Sequence, residues 1–337
     1  MNRILSIMVV FLFLFPLHSL AEVNWSRVAV KKVHLFYPGV TSWEFLTGPD
    51  HSTGANAVKE LQKRCSDCHL NGERIDIFAD DIMTGKLRRK SRGIPFEPYP
   101  PKGITGFIDL EMQAAYDASN FYMRLRWPSP EGASFKRPAD VSRGFFDRVA
   151  VQLNGNLKSF SMAGCFMSCH DDVSYMPDAP SEEEITAHPF YGRQKRSDVR
   201  LYAYVTRGKG WSSMRSEQEM AKYLNAGAVI DLWIVGFMGR ELFTSDESIF
   251  YDRVSDSHKD IKAEGDWQNG YYTVAIKRSL KTDDPMDIQL NVGKTFTAGI
   301  AVYDLKNGYR KHHVSFPVSI SLGGGPADIT AARIDER

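Results

Sequence analysis

Hydrophobic and polar positions alternate along much of this 337-residue chain. Ile108, Leu110, Met112 and Ala114 interleave with Asp109, Glu111 and Gln113, and Phe121, Met123, Leu125 and Trp127 then recur at every second position. Between them lies Asp117-Ala118-Ser119-Asn120, a turn composition. Successive side chains of a strand point to opposite faces, so the pattern predicts a β-hairpin with one buried face. Similar runs predict strands at Arg148–Leu153, Val199–Val205, Val229–Phe237, Tyr271–Arg278, Met286–Val292, Phe296–Tyr303 and His312–Leu322. In the last run, alternation puts His312, Val314, Phe316, Val318, Ile320 and Leu322 on a core face. His313, Ser315, Pro317, Ser319 and Ser321 fall on the solvent face. Many short strands with few helices predict a mainly β protein, an antiparallel β-sandwich.

Residues 38–103 break this pattern and are rich in Gly, Pro and charge. A short helix is expected near Asn56–Lys63, and Pro95, Pro98, Pro100 and Pro101 read as a stiff linker. Residues 171–196 form a second irregular excursion, in which Glu182-Glu183-Glu184 starts a helix or lies in an exposed loop. At the N-terminus Arg3 precedes an almost wholly apolar run, Ile4 to Leu17, and Ser19-Leu20-Ala21 offers a small-residue cleavage site. The run is shorter than the roughly 20 residues that span a bilayer. The expected organisation is a signal peptide at 1–21, a loop- and helix-rich segment at 22–103, and a sandwich at 104–337. The expected address is the periplasm, with no membrane span after cleavage.

Charge changes this picture little. The chain has 42 Lys and Arg against 41 Asp and Glu. Such balance gives no footprint for nucleic acid, and the basic run Lys86-Leu87-Arg88-Arg89-Lys90 reads as a solvated loop.

The chemistry sits in the cysteines. Cys65-Ser66-Asp67-Cys68-His69 is C-x-x-C-H, the attachment sequence of a c-type haem, with His69 as proximal ligand. A looser copy, Cys165-Phe166-Met167-Ser168-Cys169-His170, has three residues between its cysteines. The two copies use all 4 cysteines of the chain. Two disulfides or one structural zinc are the alternatives, but neither explains a His directly after the second Cys in both places. Two covalent haems are therefore expected, on Cys65, Cys68, Cys165 and Cys169, with His69 and His170 proximal.

Distal ligands must come from the remaining His and Met residues. His312, on the core face of its strand, is the expected distal ligand at the second haem. His313 is its alternative. For the first haem, His51 in the polar loop Pro49–Gly54 is expected. His34 in a strand and Met83 are alternatives there, and a Met ligand would raise the reduction potential relative to His.

Gln113-Ala114-Ala115-Tyr116-Asp117 within Ile108–Trp127, together with Arg148–Leu153, Ala301-Val302-Tyr303-Asp304 and Val314–Val318, resembles the haem-binding domain of ethylbenzene dehydrogenase gamma subunits. The resemblance covers roughly residues 104–323. It implies a β-sandwich around haem and an electron-accepting role beside a molybdenum and iron–sulfur enzyme. In that family Met and Lys hold a b-type haem. Here Cys165–His170 and His312 stand about where those ligands are expected, which implies a c-type relative with bis-His ligation. The segment from Phe36-Tyr37-Pro38-Gly39 to Asp50-His51 is similar to dihaem cytochromes sharing this sandwich, where the loop His is distal.

The expected function is that of a periplasmic dihaem cytochrome c carrying electrons between redox proteins of a respiratory chain. The partner would be a molybdoenzyme or a membrane quinol-oxidising cytochrome. The competing expectation is a haem enzyme or sensor with one five-coordinate iron that binds a small molecule.

Overall fold

The computed structural model describes residues 23–38, 48–51, 53–60, 63–71, 74–84, 86, 104–132, 146–165, 179–199, 203–209, 211–250, 252–256, 259–304 and 312–334. The expected signal peptide and proline linker lie outside these residues. So do Cys169, His170 and most of the 86–90 basic run.

Twelve strands build the main sheet: β1 (Lys31–Phe36), β2 (Phe107–Tyr116), β3 (Asn120–Pro128), β4 (Arg148–Asn154), β5 (Ile230–Met238), β6 (Glu241–Ile249), β7 (Arg253–Ser255), β8 (Ile261–Gln268), β9 (Tyr271–Ser279), β10 (Thr295–Tyr303), β11 (His312–Ser315) and β12 (Val318–Ser321). Their order is β7-β6-β5-β4-β10-β11-β1-β2-β3-β9-β8, all antiparallel, with β12 paired to β10. The sheet curls until β6 lies against β8, so its two halves face each other as a sandwich. Two short strands near the C-terminus, Ile329–Thr330 and Ala332–Arg333, add parallel pairs to β12 and β2.

The alternation read from the sequence fills the space between the halves. Leu110, Met112, Met123, Leu125, Val149, Val151, Trp233, Val235, Val274, Ile276, Ile300 and Val302 share one buried cluster. Phe237 and Tyr272 meet across it with ring centroids 4.3 Å apart. The predicted hairpin is β2–β3, and its turn is held by Asp117, whose Oδ1 accepts from the backbone N–H of Ser119 and of Asn120.

A second apolar cluster covers the outer face of one half. Ala150, Ile230, Leu232, Ile234, Ala301, Val314 and Phe316 contribute to it from the sheet. β5 is therefore buried on both faces, which is why Ile230–Phe237 is apolar with little alternation. The covering layer includes helix α3 (Lys158–Ala163) and the segment around Ile75, Ile77 and Ala79. Upstream of that segment lie α1 (Thr53–Glu60), close to the expected helix, and α2 (Cys65–His69).

Four expectations are corrected. Of the expected strand Val199–Val205, the described residues are not strand: Val199 lies outside any element and Ala203–Thr206 is a helical turn. Met286–Val292 runs as loop: Ile288 and Leu290 pack on the sandwich core, Met286 packs on the outer cluster, and Val292 is exposed. His312–Leu322 is two strands, broken at Phe316–Pro317. Proline has no N–H for the ladder, and the break switches faces: Val314 and Phe316 pack on the outer cluster, whereas Val318, Ile320 and Leu322 enter the sandwich core. Nor do His313 and Ser315 face solvent, since both are buried. In addition, β6 and β8 escape the pattern because polar residues interrupt them.

Candidate haem-binding sites

Positions three and four apart lie together on a helix face. On α2 this brings Cys65, Cys68 and His69 to one side and leaves Ser66 and Asp67 on the other. Asp67 secures the start of the helix, where its Oδ2 accepts from the Arg64 backbone N–H at 2.9 Å. Cys65 and Cys68 are free thiols despite their closeness in sequence. Burial, reinforced by the neighbouring Cys68, pushes the Cys65 thiol up to about 12.

The His69 ring is oriented by its own chain. Its Nδ1–H donates to the Asp76 backbone carbonyl at 2.9 Å, which leaves Nε2 unprotonated and available as a ligand atom. His51 ends a 3₁₀ turn, Pro49–His51, just before α1. Its ring lies within 8° of parallel to that of His69, with centroids 6.3 Å apart. The fold thus brings these two sequence-predicted site residues side by side. The His51 ring packs over Gly54: a Cβ there would stand 2.4 Å from its Cε1 and Nε2.

The other candidates for this position are engaged elsewhere or lie beyond description. His34 on β1 binds Asp109 through Nδ1 at 2.6 Å, and it lines a cleft next to Ser66 and Asp67, on the far side of α2. The Met83 side chain falls outside the described residues.

The second cysteine segment is set into the sheet. α3 ends at Gly164, whose φ of 61° and ψ of −152° suit only glycine. The next residue, Cys165, is fully buried, and its Sγ–H reaches the Ile300 carbonyl at 3.6 Å. Gly299 on β10 makes this possible. A Cβ on Gly299 would stand 2.8 Å from the Cys165 backbone nitrogen and 3.2 Å from its Cβ. Glycine inside a strand run often marks such a close approach, and that was the signal available for this residue in the sequence.

His312 lies on the same outer face. It pairs with Tyr303 across β10 and β11, and their rings stack at 4.5 Å. Cys169 and His170, the expected partners of His312 at this site, are outside the described residues. His313 points the other way. Its Nε2–H donates to the Thr105 carbonyl at 2.7 Å, and burial holds its pKa below the usual imidazole range. That is the hydrogen-bonding of a structural core histidine. His188 is similarly committed, accepting from the Phe190 N–H and donating to the Ser212 carbonyl.

The two segments meet. α2 packs against α3, and Cys65 and Cys165 both border the outer apolar cluster. Among the described residues, neither joins a group of three or more His, Cys or carboxylate donors of the kind a structural zinc would need.

The model of the family described as "Ethylbenzene dehydrogenase" matches residues 94–235 and 235–315. The chain is 29% identical over 318 residues to "Cytochrome c-552" of Stutzerimonas stutzeri, covering 93% of this chain and 91% of that one. It is 22% identical over 316 residues to "Cytochrome c-551" of Rhodocyclus tenuis, covering 92% and 99% respectively. Among the described residues no helix is long and apolar enough to cross a membrane.

Proposed function

We propose that this chain, which belongs to the ethylbenzene dehydrogenase family, is a cytochrome c, an exported, periplasmic dihaem carrier that passes electrons between redox proteins of a respiratory chain. In this reading residues 22–103 carry the first haem and residues 104–337 the second. Cys65 and Cys68 would tether the first haem, with His69 and His51 holding its iron. Cys165 and Cys169 would tether the second, with His170 and His312 holding its iron. A covalently held haem supplies a one-electron ferric–ferrous couple.

The residues have separate tasks. Asp76 fixes the His69 tautomer through its carbonyl. Gly54 gives the His51 ring room to face His69. Gly299 lets the backbone at Cys165 lie against the sheet, and Tyr303 holds the His312 ring by stacking. Two side-chain ligands for each iron would leave no place for a bound small molecule, which favours electron transfer over catalysis. The packing of α2 on α3 supports direct exchange between the two haems. Donors and acceptors consistent with the family include a molybdoenzyme or a membrane quinol-oxidising cytochrome.

The observation that carries this reading is the parallel His51–His69 pair at 6.3 Å. Absorption spectra of the ferric and ferrous protein provide the test. Both haems are expected to be low spin and slow to bind carbon monoxide. His51→Ala and His312→Ala should each convert about half of the haem to high spin, and the double variant all of it. A wild-type protein with one covalent haem by mass, or with a high-spin, carbon-monoxide-reactive half, would overturn the dihaem carrier and favour the five-coordinate enzyme or sensor.

A further inference from the structure

Three acidic side chains converge between the two halves of the sheet. Asp231 opens β5 on the inner face that also carries Trp233, and Asp246 on β6 pairs with Trp233 and so shares that face. Asp287 arrives from the loop between β9 and β10. All three are buried, at 0%, 3% and 7% exposure, and each offers a carboxylate oxygen within 4.8 Å of the others.

Among the described residues one cation lies against the group, and it does not neutralise it. Arg278 on β9 places Nη2 at 3.1 Å from Asp231 Oδ2 and at 3.1 Å from Asp287 Oδ2. The Asp231 Oδ2 also accepts from the Ile288 N–H, and Asp246 Oδ2 accepts from the Asp260 N–H. The remaining oxygens, Asp231 Oδ1 and Asp246 Oδ1, are buried and accept no hydrogen bond. Three carboxylates against one guanidinium leave two formal negative charges in the interior. A buried, uncompensated charge is strongly unfavourable, so something must neutralise it.

We propose that Asp231, Asp246 and Asp287 form a binding site for one hard divalent cation of the calcium class, which ties β5 and β6 to the loop on the opposite half of the sandwich. The donor set is all oxygen, which suits calcium, magnesium or manganese rather than zinc or copper. Two positive charges match the two in surplus. Without a cation, protons take its place: burial raises Asp231 well above the usual carboxylate range and Asp246 to about 7, and it raises nearby Asp256 to about 6.

The test uses the intact holoprotein, stripped with chelator, desalted and titrated with calcium chloride or magnesium chloride. Bound calcium is counted per chain by atomic emission, and the thermal midpoint is followed by circular dichroism. One calcium per chain is expected, with the midpoint raised by at least about 3 °C at millimolar calcium. Asp246→Asn should keep the fold, because a neutral group there resembles the protonated side chain, and should weaken calcium binding tenfold or more. Asp287→Asn is the second variant and should do the same. No stoichiometric calcium or magnesium in the wild type, or equal calcium affinity in the wild type and both variants, would overturn the site.

Discussion

The first cysteine segment is a local construction: Cys65, Cys68, His69, the Asp76 carbonyl and the facing His51 ring all come from residues 51–76. The second is assembled over long distances. Cys165 rests on Gly299 and Ile300, 135 residues from the latter along the chain, and His312 stands on a neighbouring strand. In the proposed reading the same chemistry would be supported by one helical turn in one case and by the register of two strands in the other. A local site depends on a few torsions and one cap. A long-range site depends on the whole sandwich, and any change in how its segment lies on the sheet removes it.

The largest expected effect tests that dependence directly. Gly299→Val would place side-chain atoms where the Cys165 backbone lies, and overpacking of this kind costs about 1–3 kcal/mol. Urea unfolding should show that loss. Intact mass should show the covalent haem falling from two to one, with the first site still low spin.

Gly54→Ala should separate ligation from stability at the local site. Its Cβ would displace the His51 ring, so about half of the haem should become high spin. Alanine also favours a helix over glycine by about 1 kcal/mol, so urea unfolding should show stability unchanged or slightly higher. A low-spin first site in this variant would break the assignment of His51.

His313→Leu sharpens the long-range side. It leaves the buried Thr105 carbonyl without its donor, at a cost of about 1–3 kcal/mol. Both haems should keep their visible spectra, in contrast to His312→Ala. Asp67→Ala should have the smallest effect. Losing the acceptor for the Arg64 N–H at the exposed start of α2 should cost about 0.5–1 kcal/mol, read as a small drop in the unfolding midpoint with the second site untouched.

Wherever strand alternation had one dry and one wet side, the sequence announced the strand, and β2, β3, β4, β9 and β10 fall where the pattern puts them. β6 was hidden because its inner face carries Asp246 in place of an apolar residue, and β5 was readable only as a run because both of its faces are covered. His312 and His313 expose the limit of the method. Alternation placed them on opposite faces, correctly, but assumed that one face was solvent. The second layer covers the His312 side of the sheet, and on the other side His313 turns to the Thr105 carbonyl, so both histidines are buried and only their surroundings distinguish them.

The amino-acid order by itself determined the sandwich class and the family, and it set the Cys65–His69 spacing on which the proposed attachment rests, because these depend on two-residue periodicity and on spacing within a single turn. Only the tertiary structure decided that His51 faces His69, that the Cys165 segment needs Gly299, that His313 serves the Thr105 carbonyl, and that three aspartates meet between the sheets. Each of those contacts depends on how the sheet curls and which strands become neighbours. That is settled by the packing of the whole chain, and no local stretch of sequence encodes it.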